Sequence, residues 1–197
     1  MTINASDDAI NASYNDDTKS LSNAGNLTIS GGYVYARSTG NDGIDANGNV
    51  YIKGGLVYAI GASSPEVAID ANSEEQKKLY VQGGTLVAIG GLESGASLTQ
   101  SCYSTNSWNK NTWYALTVGS DVFAFKTPSS GGSTMVVSGA SQPSLKSGVT
   151  VSSGTSIFDG AAYTGATVTG GSSVNLSSYS GGNGGGPGGP WGPGGWR

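Results

Sequence analysis

Apolar and polar residues alternate at a period of two through the first ninety positions, in short runs broken by glycine pairs. Leu27 and Ile29, Val50 and Ile52, and Leu79 and Val81 fall on one side of their runs, with Thr28, Tyr51 and Tyr80 on the other. Past Gly31-Gly32, Gly54-Gly55 and Gly83-Gly84 the alternation resumes. Val34 and Ala36, Val57 and Ala59, and Leu86 and Ala88 then share an inward side, and Tyr35, Tyr58 and Val87 an outward one. Period two with glycine at the corners predicts strands, and no window carries the apolar stripe of a helix. Extended down the chain, the first column takes in Leu116 and Val118, Met135 and Val137, and Val149 and Val151. The second takes in Val122 and Ala124, with Phe123 outward.

The glycine pairs lie 23 and then 29 residues apart, and an acidic phrase precedes each run: Asp7-Asp8-Ala9-Ile10-Asn11-Ala12, Asn41-Asp42-Gly43-Ile44-Asp45-Ala46 and Glu66-Val67-Ala68-Ile69-Asp70-Ala71. Repeats of roughly 20 to 30 residues built from short strands are the mark of a solenoid. The expectation is an all-β, right-handed parallel β-helix, with Ile10, Ile29, Ile44, Ile52, Ile69 and Val81 in its core column. Residues 1–180 form one domain in this reading, its coils degrading after about residue 126. Residues 181–197 are a Gly/Pro/Trp-rich tail. Thr18 to Gly25, Ser63 to Glu66, Ser73 to Lys77 and Leu92 to Thr112 read as loops between coils.

Composition narrows the function. Histidine is absent and the arginines are Arg37 and Arg197, which removes Ser-His-Asp and Cys-His chemistry and histidine-ligated metals. Cys102 is the single cysteine, so no intrachain disulfide forms. A net charge of −4 offers no basic field for nucleic acid, and no apolar run reaches the length of a membrane span. No signal peptide is read at the start of the sequence. Few Lys and Glu among abundant Gly, Ser, Thr, Asn and Tyr suit a secreted or cell-surface bacterial protein.

In a stacked solenoid, equivalent side chains lie one strand spacing apart, about 4.8 Å. Aligned on Ile10, Ile44 and Ile69, the following position holds Asn11, Asp45 and Asp70; two before sit Asp8, Asp42 and Val67, and three before sit Asp7, Asn41 and Glu66. Carboxylates at such spacing repel by about 3 kcal/mol in a medium of intermediate dielectric. Few Lys or Arg lie near in sequence, so a hard divalent cation between the coils is one answer, and calcium accepts an all-oxygen ligand set. Solvated Asx turns are the other. The Tyr35/Tyr58 and Tyr51/Tyr80 columns likewise have two readings, a flat platform for sugar rings or cross-strand stacking that stabilises the sheet. Arg37 and Lys53 are the only bases close in sequence to the ladders, and neither has a catalytic context. A non-enzymatic role is expected.

The acidic phrases followed by Leu-Thr-Ile-x-Gly-Gly-like strands resemble a bacterial carbohydrate-binding family of calcium-binding, right-handed parallel β-helices, similar in fold to polysaccharide lyases. The strand Ala115 to Phe125, the segment Gln142 to Gly148 and the Gly-rich tail extend the likeness. The resemblance implies calcium at Asp7, Asp8, Asn11, Asn41, Asp42, Asp45, Glu66 and Asp70, and binding to plant-wall or acidic polysaccharide. Val67 where an acid is expected, and the acid-free stretch Ser97-Leu98-Thr99, depart from the pattern and leave the number of ions open. A second partner is the protein itself. A solenoid whose first acidic phrase starts at Asp7 could stack head to tail into a filament, with Trp191 and Trp196 of the tail as a latch.

Overall fold

The pairs Gly31-Gly32, Gly54-Gly55 and Gly83-Gly84 each join one short strand to the next, and the strands on either side of successive pairs lie parallel to one another. The computed structural model describes residues 1–15 and 17–181; the tail from residue 182 on, with its Trp191 and Trp196 latch, lies outside the described residues. The first pass holds β1 (Thr2–Ala5), β2 (Ile10–Ala12) and β3 (Leu27–Ile29), and the second β4 (Tyr33–Ser38), β5 (Ile44–Ala46) and β6 (Val50–Ile52). The third holds β7 (Leu56–Ile60) and β8 (Leu79–Val81), and the fourth β9 (Thr85–Ile89) and β10 (Ser97–Leu98). All pairing among these passes is parallel: β1-β4-β7-β9 along one side, β3-β6-β8-β10 along another and β2-β5 along a third. Single parallel bridges from Ile44 to Ile69 and from Ile69 to Leu92 continue the third ladder.

Among the described residues the chain is all-β apart from two short 3₁₀ turns at Ser73–Glu75 and Phe158–Gly160. Among the described residues no helix is long and apolar enough to cross a membrane. The three ladders enclose a narrow apolar core in which Ile44, Ile52, Ile69 and Val81 are fully buried and Ile29 nearly so, while Ile10 packs at its rim. Val34, Ala36, Val57, Ala59, Leu86 and Ala88 fill the same interior, as their side of the alternation requires.

From Leu92 on, the architecture departs from the repeat. The segment expected as one long loop, Leu92 to Thr112, contains β10 and β11 (Cys102–Thr105). The expected strand Ala115 to Phe125 is instead a hairpin, β12 (Trp113–Val118) and β13 (Asp121–Lys126), paired antiparallel from Trp113↔Lys126 to Val118↔Asp121. Next come β14 (Met135–Ser138), β15 (Ser144–Ile157), β16 (Ala162–Val174) and β17 (Ser177–Tyr179). Strands β12, β13, β16 and β15 close on one another as an antiparallel barrel. Strand β14 lies antiparallel against β9, and β11 bridges β14 and β17, so the seven-stranded sheet is mixed. Leu116, Val118, Val122, Ala124, Met135, Val137, Val149 and Val151 therefore do not prolong the parallel columns.

The barrel packs on the outer face of the β4-β7-β9 ladder and creates a second apolar layer containing Tyr35, Leu56, Tyr58, Ile60, Val87, Phe123, Phe125 and Phe158. Every residue of β7 is buried, Val57 and Ala59 toward the first core and Leu56, Tyr58 and Ile60 toward the second.

The glycine pairs follow from this stacking. Gly55 sits at φ +83°, which an L side chain rarely adopts, and a Cβ on Gly54 would lie 2.7 Å from the Ser30 carbonyl oxygen of the pass before. A Cβ on Gly83 would likewise meet the Lys53 carbonyl at 2.5 Å, whereas at Gly31, on the end pass, nothing lies within 4 Å. Gly54→Ala and Gly83→Ala should each destabilise by about 2 kcal/mol or more, and Gly31→Ala by less than about 0.5 kcal/mol. Thermal melts of the three variants check this, and equal effects at all three would mean that stacking does not set these corners.

Candidate functional site

The third ladder carries the acidic phrases. Its backbone register places Asn11 beside Asp45, and the Asp70 N–H donates to the Ile44 carbonyl (2.7 Å), so Asp70 follows Asp45 one pass on. The Glu93 N–H donates to the Ile69 carbonyl (3.0 Å) and adds a fourth member, Glu93, to the same column. Asp42, at the bend before β5, enters the group from the neighbouring column. Carboxylate oxygens of Asp42, Asp45 and Asp70 lie within 4.8 Å of one another.

The surroundings hold these groups in place. The Val67 N–H donates to Asp42 Oδ1 (2.6 Å) and the Ala71 N–H to Asp70 Oδ1 (2.7 Å). Asp8 Oδ1 accepts from the Asp42 N–H (3.2 Å). Asn11 Nδ2 donates both to Asp8 Oδ2 (2.9 Å) and to Asp45 Oδ2 (3.0 Å), and its Oδ1 accepts from the Ser13 hydroxyl. Asn41 Nδ2 donates to Asp7 Oδ1 (2.9 Å), a separate pair one column outward. Glu66 adds its charge to that felt by Asp42.

Burial and mutual repulsion make these poor places for negative charge. Asp42 is only 6 % exposed, and burial, followed by the carboxylates of Asp70, Glu66 and Asp8, pushes its carboxyl up to about 8 despite the Val67 N–H. Asp45 is raised to about 6 by burial and then by Asp8 and Asp70. Asp70 is raised by burial and then by the neighbouring Glu93 carboxylate. Glu66 is raised as well, by burial and by Asp8 and Asp70. The charges that bear on the triad are themselves carboxylates, while Lys53 lies over the Tyr51 ring (5.1 Å to its centroid) and Arg37 beside Tyr35.

Of the residues expected to ligate, then, Asp42, Asp45 and Asp70 meet, Asp8, Asn11 and Glu66 border them, and Asp7 and Asn41 pair with each other. Glu93 is the member missed. Its signal was the apolar–acid step Leu92-Glu93 echoing Ile44-Asp45 and Ile69-Asp70, hidden because only two residues separate Ile89 from Leu92.

The aromatic columns divide. Tyr51 and Tyr80 stack in parallel on the outside of the β6-β8 ladder, with centroids 4.9 Å apart and planes 8° from parallel, both rings half-exposed. Tyr35 and Tyr58 are not a surface platform. Tyr58 is fully buried, meets Tyr35 (5.2 Å) and Phe125 (5.2 Å) edge-on, and donates its hydroxyl to the Lys126 carbonyl (3.0 Å); Tyr35 packs on Phe158 (5.5 Å). The barrel covers the face that the alternation marks as outward. No family model, curated protein or solved structure matches the chain.

Proposed function

We propose that the protein is a non-catalytic, extracellular, calcium-binding protein that holds polysaccharide, and that its first four passes form a right-handed parallel β-helix. The observation that carries the calcium reading is the Asp42–Asp45–Asp70 triad, three carboxylates within 4.8 Å of one another on which further carboxylates press. The donor set fits a hard cation. It is oxygen throughout, at least half-buried, held by backbone N–H groups that donate to Asp42 Oδ1 and Asp70 Oδ1, and flanked by Asn11 and by the carboxylates of Asp8, Glu66 and Glu93. Bound calcium would neutralise the column and tie together the second and third passes, which along this ladder are joined by the single bridge of Ile44 to Ile69. The likeness of the acidic phrases to calcium-binding β-helices supports the same reading, as do the three parallel ladders around one apolar interior.

For the polysaccharide, the stacked rings of Tyr51 and Tyr80 offer a flat apolar surface with a lysine at its edge. Sugar rings pack on such faces through their C–H groups, and the Lys53 ammonium suits a carboxylate on an acidic glycan. Tyr80→Ala should weaken retention of the wild-type ligand in affinity electrophoresis through soluble acidic and neutral glycans about fivefold to tenfold, with little loss of stability. Undiminished retention would leave the stack as sheet packing alone.

A further inference from the structure

A cleft of about 970 Å³ opens where the residues after β2 overhang the third ladder, lined by Asn11, Tyr14, Lys19, Asn47, Asn72 and Glu75 among others. Its floor is a row of amides. The Asn47 N–H donates to the Ala12 carbonyl (3.0 Å) and the Asn72 N–H to the Ala46 carbonyl (3.1 Å), so Ser13, Asn47 and Asn72 occupy equivalent positions on successive passes. The row therefore repeats at one strand spacing, about 4.8 Å, and lies two residues along from the column of Asn11, Asp45 and Asp70.

Both amides are oriented by the protein. Asn47 Oδ1 accepts from the Tyr14 N–H (3.3 Å), and Asn72 Oδ1 caps the turn at Ser73–Glu75 by accepting from the Glu75 N–H (3.2 Å). With their carbonyl oxygens engaged, the Nδ2 groups of Asn47 and Asn72 make no hydrogen bond to any described residue, although both side chains are half-buried. The opposite wall is the Tyr14 ring, held across the cleft by its hydroxyl donating to Glu75 Oε2 (2.6 Å).

We infer that this cleft is a saccharide groove, in which a glycan chain lies along the row of Asn47 and Asn72 with its ring edges against Tyr14; this rests on the polysaccharide reading above. Half-dehydrated amide donors gain most from acceptors that water can no longer supply. Sugar hydroxyl and ring oxygens provide such acceptors, and the adjoining Glu75 carboxylate accepts hydrogen bonds from hydroxyls in return. Donors and an acceptor side by side match groups that both give and accept hydrogen bonds. The strand spacing is close to the length of one pyranose unit in an extended chain, so successive units would meet equivalent amides. An added peptide strand would call instead for an unpaired strand edge, and Asn47 lies on a pass bonded to both its neighbours, through the Ala12 and Ala46 carbonyls.

The test uses the full chain with calcium and two soluble probes, a mixed-linkage β-glucan and polygalacturonate, in affinity gel electrophoresis. Asn47→Ser/Asn72→Ser keeps a hydroxyl acceptor at each position, including the turn cap, and removes the two free donors. Its retardation constant on whichever polymer retards the wild type should fall about tenfold. A variant retarded like the wild type overturns the groove while leaving polysaccharide binding at Tyr51 and Tyr80 standing. A wild type retarded by neither polymer overturns both. Should the variant fold poorly, the wild type titrated with a hexasaccharide of the polymer that retards it decides: the side-chain amide resonances of Asn47 and Asn72 shift and that of Asn111 does not. Resonances of Asn47 and Asn72 that stay fixed at saturation overturn the groove.

Discussion

Metal-free protein should melt at a lower temperature at pH 8 than at pH 4, and calcium should remove that difference. The sign comes from the triad. Asp42 titrates near 8 and Asp45 near 6 in the fold, against an ordinary aspartate value of 3.8, and Asp70 is displaced in the same direction. A carboxyl whose folded value is raised contributes its full stability below the unfolded value, and that contribution is lost as pH climbs through the folded value. The window therefore runs from about pH 4 to about pH 8, with Asp42 setting its upper end. Discounted for solvent reaching the partly exposed partners, the loss is about 2 kcal/mol, or roughly 4 to 8 °C for a chain of this size. Calcium binds the charged form that protons oppose, so its stabilisation grows over the same window. At a hundred times its dissociation constant it contributes about 2.7 kcal/mol. Calorimetry on chelator-treated, desalted protein at pH 4, 6 and 8, with and without calcium chloride, measures both effects. Asp42→Asn keeps an acceptor for the Val67 N–H; it should raise the melting temperature of the metal-free protein at pH 8 and abolish the response to calcium. A metal-free melting temperature that rises from pH 4 to pH 8, and that calcium leaves unchanged, would reduce the triad to a set of turns.

Much of the first four passes is legible in the residues because a narrow interior leaves a strict mark. Ile44, Ile52, Ile69 and Val81 are fully buried in one core, each next to a residue that faces out. The acidic columns follow from the same register, since like phrases at the same phase stack. Three features escaped. Glu93 joins the column across a shortened connection that breaks the phrase spacing. The hairpin of β12 and β13 turns at Gly119-Ser120, a two-residue loop between alternating runs that is itself a hairpin signal; it reads as a continuing coil only when the earlier repeat is projected forward. Strands β15 and β16 expose most of their residues on both faces, so neither side of the alternation is apolar enough to announce which way it faces.

Tyr58 shows what a single-layer reading misses, and Tyr58→Ala should be the most damaging substitution in the outward columns. The run Leu56-Val57-Tyr58-Ala59-Ile60 has no polar residue on either face, which is how a strand buried on both sides reads. The fully buried ring contacts Tyr35, Phe123 and Phe125, and its hydroxyl reaches the Lys126 carbonyl at the end of β13. Truncating an aromatic side chain in such a layer costs about 3 to 5 kcal/mol, a fall of about 10 °C in melting temperature. Tyr58→Phe removes only the hydroxyl bond and should cost about 1 kcal/mol. Tyr80→Ala, on the half-exposed stack, should stay within about 1 kcal/mol. The ordering matters for function, because any loss of glycan retention in Tyr58→Ala would reflect the loosened contact between ladder and barrel, whereas the same loss in Tyr80→Ala would reflect the surface. Melting curves of the three variants beside their retention on glycan gels separate the cases. Tyr58→Ala melting within 2 °C of the wild type would mean that the barrel does not pack on this ladder, and would return Tyr35 and Tyr58 to the surface as a second aromatic platform.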